Sequence, residues 1–245
     1  KYVILVSTGA VALVGLLVWF FMKIDHQTEK EIVSEKISVL QIQEVLRFTS
    51  VWLLMIIILC AYVGYKVTDV FSLYAQDVML YNQVQSAQVG TFLLFIRPVT
   101  GVLIGVLADR TQATFWLVLS FIVSFFGALL FATGIISDSA VALFFISILV
   151  VSTGVYAARA LYFAVMKSGK IPLALTGTAV GLISVVGYTP DIFTGPTIGY
   201  LLDNSPGEEG HQHVFWMLAL FSLIGGIAAW YYFQLYGEKK QKPIE

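Results

Sequence analysis

Five ionisable side chains stand inside long apolar stretches of this sequence: Lys66, Asp69, Arg97, Arg159 and Asp191. A charge in hydrocarbon costs roughly 3 kcal/mol or more. Each of the five is therefore a candidate for solute or proton chemistry. Arg97 stands near the middle of its stretch, too far from either surface to snorkel easily. Pro98 follows it and weakens the local helix ladder. It reads as a cation for an anionic or hydroxyl-rich solute, or as a structural Arg neutralised by Asp69 or Asp191. Lys66 and Asp69 are three residues apart and share a helix face. Either they pair with each other, or Lys66 binds solute while Asp69 takes a proton. Arg159 lies about 12 Å before Lys167 at the helical rise; it either snorkels or joins the other charges. Asp191 follows Pro190 and is either a gate residue or the partner of a cation. Tyr65 and Tyr188 are the aromatic groups expected beside a solute.

Other chemistries find less support. The stretch EEGHQH, Glu208 to His213, holds a His-x-His pair that chelates metal weakly on a flexible loop. A polar external loop is the simpler reading, because no Cys cluster or longer ligand pattern accompanies it. The one cysteine, Cys60, lies in an apolar run and reads as a packing residue. There is no G-x-x-x-x-G-K phosphate loop and no nucleophile elbow. An integral membrane enzyme would need paired carboxylates or a His cluster at one membrane face, and the charges here are dispersed and lack His. No catalytic residue, cofactor or metal is expected. A net charge of −1 and the lack of a long basic run argue against a nucleic-acid partner.

These residues must be positioned by membrane helices. Charged residues are 12% of the chain, against about 25% in soluble domains, so lipid is the expected solvent. Seven apolar runs, near 2–22, 48–74, 87–108, 114–134, 140–166, 173–202 and 213–236, are each long enough to span a bilayer. Connections with Lys or Arg alternate with connections that have none. The basic ones carry Lys23, Lys30, Lys36 and Arg47; then Arg110; then Lys167 and Lys170; then Lys239, Lys240 and Lys242. The positive-inside rule makes these cytoplasmic, so the first run points inward and the C-terminus is cytoplasmic. Asp25 to Arg47 has apolar residues at Val33, Ile37 and Leu40, the spacing of a linker helix. The sixth run is interrupted by Gly177, Gly181, Gly187, Pro190, Gly195, Pro196 and Gly199. Its pairs Gly177/Gly181 and Gly195/Gly199 allow close helix contact, and such breaks also mark moving or solute-facing segments. The chain starts at Lys1 with an odd number of spans, and reads as a fragment without its N-terminal part.

Gly105, Leu107, Asp109 and Arg110 fall at the spacing G-x-L-x-D-R. This resembles the cytoplasmic-loop signature of the major facilitator superfamily of secondary transporters. The glycine and basic pair that normally follow are replaced by Thr111, Gln112, Ala113 and Thr114, which suits the degenerate copy in the C-terminal half. The stretch from Thr176 to Asp203 is similar to the eleventh helix of the organophosphate–phosphate antiporter branch. In that branch an Arg-Tyr pair precedes an Asp in the seventh helix; here GYKVTD, Gly64 to Asp69, has Gly64 at the Arg position and Lys66 two residues on.

The resemblance implies an all-α integral membrane fold: the six-helix half of a twelve-helix major facilitator fold plus one additional N-terminal transmembrane helix. Residues 1–24 would be the sixth helix, 25–47 the central linker, 48–238 the C-terminal bundle and 239–245 a cytoplasmic tail. It implies a cavity lined by the seventh, eighth, tenth and eleventh helices, where all five charges fall. It also implies a secondary active transporter in the plasma (bacterial inner) membrane. Such a protein moves a small polar, anionic organic solute by alternating access, with proton coupling. Its partners would be the solute, the lipid bilayer and the N-terminal half of the same protein. Tyr65, Lys66, Arg97, Arg159 and Tyr188 would bind solute, and Asp69 and Asp191 would couple protons or pair charges. Gly105, Asp109 and Arg110 would form a cytoplasmic gate. A non-transporting receptor or assembly protein on the same scaffold is the alternative.

Overall fold

The computed structural model describes residues 2–21, 39–136 and 139–237. No strand occurs among them; every regular element is helical. In hydrocarbon each backbone polar group must bond within its own segment, so long apolar runs become helices. The chain forms two units, Lys1–Ser38 and Val39–Glu245. The first holds α1 (Tyr2–Phe21), an apolar helix of 20 residues. The segment 25–47 lies outside the described residues up to Ser38, and the tail 239–245 lies outside them entirely. The described end of that segment is α2 (Val39–Val45), which belongs to the second unit; Val45 is fully buried in its core.

The second unit contains six spans that are long and apolar enough to cross a membrane. The first is α3 (Thr49–Val67), a 3-10 turn (Thr68–Val70) and α4 (Phe71–Asp77). The second, third and fourth are α5 (Gln83–Arg110), α6 (Ala113–Ala132) and α7 (Val141–Leu161). The fifth is α8 (Thr176–Gly187) with α9 (Pro190–Asn204), and the sixth is α10 (Glu208–Tyr236). The chain is thus an all-helical integral membrane protein with six spans and an apolar N-terminal helix.

Two helix starts differ from the apolar runs. α5 begins four residues before its run because Asn82 caps it. The Asn82 side chain accepts the Gln85 N–H at 2.9 Å, and the Gln85 side chain accepts the Asn82 N–H at 3.1 Å. This is a capping box that apolar counting does not see. α10 begins at Glu208, so the expected polar loop over EEGHQH is helix instead. Glu208 and Glu209 suit the positive end of a helix.

Packing depends on a few close approaches. Gly154 of α7 sits so near α6 that a Cβ there would lie 2.6 Å from the Ser124 nitrogen and 2.8 Å from the Ser120 oxygen. Gly187 presses on Ile58 of α3. In contrast, Gly177, Gly181, Gly195 and Gly199 meet no atom within 4 Å. The expected small-residue contacts are therefore not made among the described residues. The buried residues of α8 are Ala179, Ile183 and Gly187, and those of α9 are Pro190 and Thr194, so the four glycines point away from the bundle.

Candidate functional site

The site is built around two helix breaks. In the first span the ladder tightens at Thr68, whose N–H faces the carbonyls of Gly64, Tyr65 and Lys66 and whose hydroxyl donates to the Tyr65 oxygen at 2.7 Å. In the fifth span the break is Tyr188–Thr189, followed by Pro190, which has no N–H to continue the ladder. Lys66 lies in the last turn of α3 and Asp191 in the first turn of α9. Each charge complements the partial charge of its own helix end. They pair at 3.1 Å, with side chains 31% and 50% exposed. Tyr62 donates its hydroxyl to the other Asp191 oxygen at 2.9 Å. Its ring meets Tyr188 edge-on at 4.9 Å and Tyr65 at 5.7 Å.

The expected Lys66–Asp69 pairing is absent among the described residues: Asp191 takes the amine instead. The 3-10 turn between Lys66 and α4 changes the angular step, which removes the shared α-helical face that the spacing implied. Asp69 is exposed, and Lys66, Arg97 and Arg159 all act on it electrostatically.

The two arginines converge on one ring. The Arg97 guanidinium carbon lies 4.7 Å from the Tyr65 centroid and 5.3 Å from that of Tyr156. Arg159 reaches back from the last turn of α7 to 3.6 Å from Tyr65 and 5.3 Å from Tyr62. So Arg159 does not snorkel toward Lys167, and Arg97 is faced by aromatic rings rather than neutralised by Asp69 or Asp191. Neither makes an ion pair among the described residues; Arg97 Nε and Arg159 Nη1 are buried without a hydrogen-bond partner. Tyr188 is exposed beside Tyr62 and shares a hydrogen bond with Tyr162.

Tyr62, Tyr156 and Tyr162 escape a reading centred on charges. Each carried a signal: Tyr62 is four residues before Lys66, Tyr156 three before Arg159 and Tyr162 three after it, the spacings that share a helix face.

Gly105, Asp109 and Arg110 stand apart from this cluster. Asp109 is about 18 Å from Arg97 at the helical rise. Asp109 and Arg110 are exposed and have neither an ion pair nor a side-chain hydrogen bond among the described residues, and Gly105 meets nothing within 4 Å. The expected docking of Asp109 on a neighbouring helix end is not seen. The turn into α6 is held by Thr111, whose hydroxyl donates to the Leu107 oxygen at 2.6 Å and accepts the Trp116 indole N–H at 2.7 Å.

A second polar contact lies where α4 ends and α10 starts. His211 is fully buried; its Nε2 is 3.1 Å from an Asp77 oxygen, and its ring meets Tyr74 edge-on at 5.2 Å. Its Nδ1 has no partner. Tyr74 in turn donates to the Ile136 oxygen at 3.1 Å. Among the described residues no three His, Cys, Asp or Glu side chains gather as a metal site.

No family model matches the chain. It is 27% identical over 229 residues to the inner membrane protein YqcE of Escherichia coli (strain K12), covering 91% of this chain and 54% of that protein. It is 37% identical over 75 residues to the inner membrane protein YihN of the same organism, covering 31% of this chain and 18% of that protein. The chain therefore spans about half the length of YqcE and less of YihN.

Proposed function

We propose that this chain is part of a secondary active transporter of the major facilitator type and not an enzyme. It moves a small polar, anionic organic solute by alternating access, coupled to protons. The observation that carries this reading is the pair of arginines on α5 and α7. Their guanidiniums share Tyr65 and, among the described residues, make no ion pair and keep a buried nitrogen each without a hydrogen-bond partner. A guanidinium N–H held out of water without an acceptor is costly, and an anion that takes those N–H groups removes the cost. The cluster holds three cations, Lys66, Arg97 and Arg159, against two carboxylates, Asp69 and Asp191, which leaves one positive charge in excess.

In this reading the solute's anionic head takes guanidinium N–H groups of Arg97 and Arg159. Tyr65, Tyr188 and Tyr62 supply ring surface and hydroxyls to its body. Lys66 pairs with Asp191 while the solute is held, and Asp69, beside three cations, carries the proton. Broken helices at a midplane site are a recurring device of transporters. The preceding half of a longer protein closes the other side of the cavity, and Asp109 with Arg110 gates the cytoplasmic end. The names of the two relatives support an inner-membrane location, and the basic connections support a cytoplasmic C-terminus.

Flux in proteoliposomes carrying the full-length protein tests the reading. Accumulation of an organic anion under an inward proton gradient, abolished by Arg97→Gln, is the expected result. Binding of such an anion with no flux in either direction would instead make the protein a receptor on this scaffold.

A further inference from the structure

We propose that α9 is a rocking arm latched shut by the Lys66–Asp191 pair. The arm has a bend at each end. At its start the backbone bonding shifts register: the Tyr188 N–H bonds to Ser184, while those of Thr189, Asp191 and Ile192 bond three residues back. Pro190 contributes no N–H at all. At its far end the chain turns through Ser205 to Gly207, and Gly207 has φ +82°, a conformation that favours glycine.

Between these bends the arm packs by one face: Pro190 and Thr194 are buried, Phe193 stacks on Phe221 at 6.3 Å, and Ile198, Leu201 and Leu202 lie partly buried against the core. The Thr194 hydroxyl has no hydrogen-bond partner among the described residues. Gly195, Pro196 and Gly199 lower its own rigidity, and neither flanking glycine meets a neighbour. By comparison α8, just before the bend, is wedged against α3 by Gly187 on Ile58. Beside that apolar face, two polar bonds tie the near end of α9: Lys66 on one Asp191 oxygen and Tyr62 on the other. An exposed ion pair biases an equilibrium roughly fivefold. The two helix ends and the tyrosine bond act in the same direction here. That bias suits a latch that must open and close while the apolar face of the arm stays seated on the bundle.

The two bonds also couple the breaks. Lys66 lies two residues before the 3-10 turn of the first span, so movement of α9 pulls on the end of α3. The use of this latch in transport rests on the function proposed above; its mechanics does not, because no solute takes part.

The experiment uses the full-length protein in lipid nanodiscs with Cys60→Ala, spin-labelled at Ile192→Cys on α9 and Ile122→Cys on α6, both exposed positions. Pulsed electron resonance reads the distance distribution without added solute. One dominant distance is expected in this background and in Lys66→Arg. Asp191→Asn and Lys66→Gln should each raise a second distance by roughly fivefold or more in population. Distributions unchanged in both variants, or changed in only one of them, overturn the proposal. If Asp191→Asn fails to fold, Lys66→Gln with Tyr62→Phe opens the latch from the other side, and an unchanged distribution there overturns it equally. Loss of all transport with the latch response intact would defeat the transporter reading alone.

Discussion

Arg159 and Arg97 lie 3.6 and 4.7 Å from the centroid of a single ring, that of Tyr65. Their guanidinium carbons are therefore within about 8 Å of each other, although they come from different spans. In the transporter reading proposed above, one small anionic head is shared by both groups. Like charges held this close repel, and the negative face of the ring offsets part of that repulsion.

It follows that Tyr65 sets the geometry of both arginines. Tyr65→Phe keeps the ring and should leave anion affinity within about twofold, whereas Tyr65→Leu removes two cation–π contacts and should weaken it about tenfold. Tracer binding to the purified full-length protein measures both. Equal affinity in Tyr65→Leu would show that the arginines hold their places without the ring.

The His211–Asp77 contact should act on stability rather than affinity. His211→Ala leaves a void in a fully buried place and unpairs Asp77, for a loss of about 2–3 kcal/mol. Asp77→Asn keeps an acceptor for the His N–H and should cost under about 1 kcal/mol. Thermal unfolding in detergent separates them. Equal losses would mean that the negative charge, not the hydrogen bond, is what His211 needs.

The glycines divide into two sets that respond oppositely. Gly154→Ala drives a methyl against Ser124 and Ser120 backbone, which cannot rotate away, and should destabilise the bundle by about 1–3 kcal/mol. Gly181→Ala meets open space within this chain and should stabilise α8 by about 0.5–1 kcal/mol through helix propensity. Should Gly181→Ala destabilise the full-length protein, an outside surface packs on that face, and its position becomes measurable by cross-linking.

Most of the architecture was legible because spans obey one strong rule: apolar runs of about 20 residues become helices. The helix ends were less legible, since Asn82 caps α5 through side-chain bonds and Glu208 extends α10 through charge, neither of which is hydropathy. The members of the charge cluster could be listed from their cost in lipid. Their pairing could not, because Lys66–Asp191 joins residues 125 positions apart and the 3-10 turn at Thr68 cancels the local Lys66–Asp69 alternative. The Asp109–Arg110 motif drew attention to the α5–α6 turn, while the bonds that hold it belong to Thr111 and Trp116.

That division of labour is testable. Thr111→Val removes the bonds to Leu107 and Trp116 and should lower stability by about 1–2 kcal/mol with affinity retained. Asp109→Asn removes no side-chain bond among the described residues, so stability should stay within about 0.5 kcal/mol. If Asp109 gates the proposed transporter, turnover falls in Asp109→Asn at unchanged affinity. A large loss of affinity would place Asp109 in the solute site and refute the gate.

Asp69 decides whether protons drive the cycle. It is the exposed carboxylate acted on by Lys66, Arg97 and Arg159, and unlike Asp191 it has no ion pair among the described residues. A carboxylate free of a fixed partner can gain and lose a proton without breaking a structural contact. Protonating it raises the excess positive charge of the cluster, which favours an incoming anion, and releasing the proton lowers that charge and favours departure. Asn mimics the protonated form permanently. Asp69→Asn should therefore bind the anion at least as tightly and still exchange it across the membrane, since exchange needs no net proton movement. Accumulation against a gradient should fall to the level seen without a pH difference. Counterflow and pH-driven uptake, measured on the same proteoliposomes, give the two readings side by side. Retained pH-driven accumulation in Asp69→Asn would remove this residue from the coupling path.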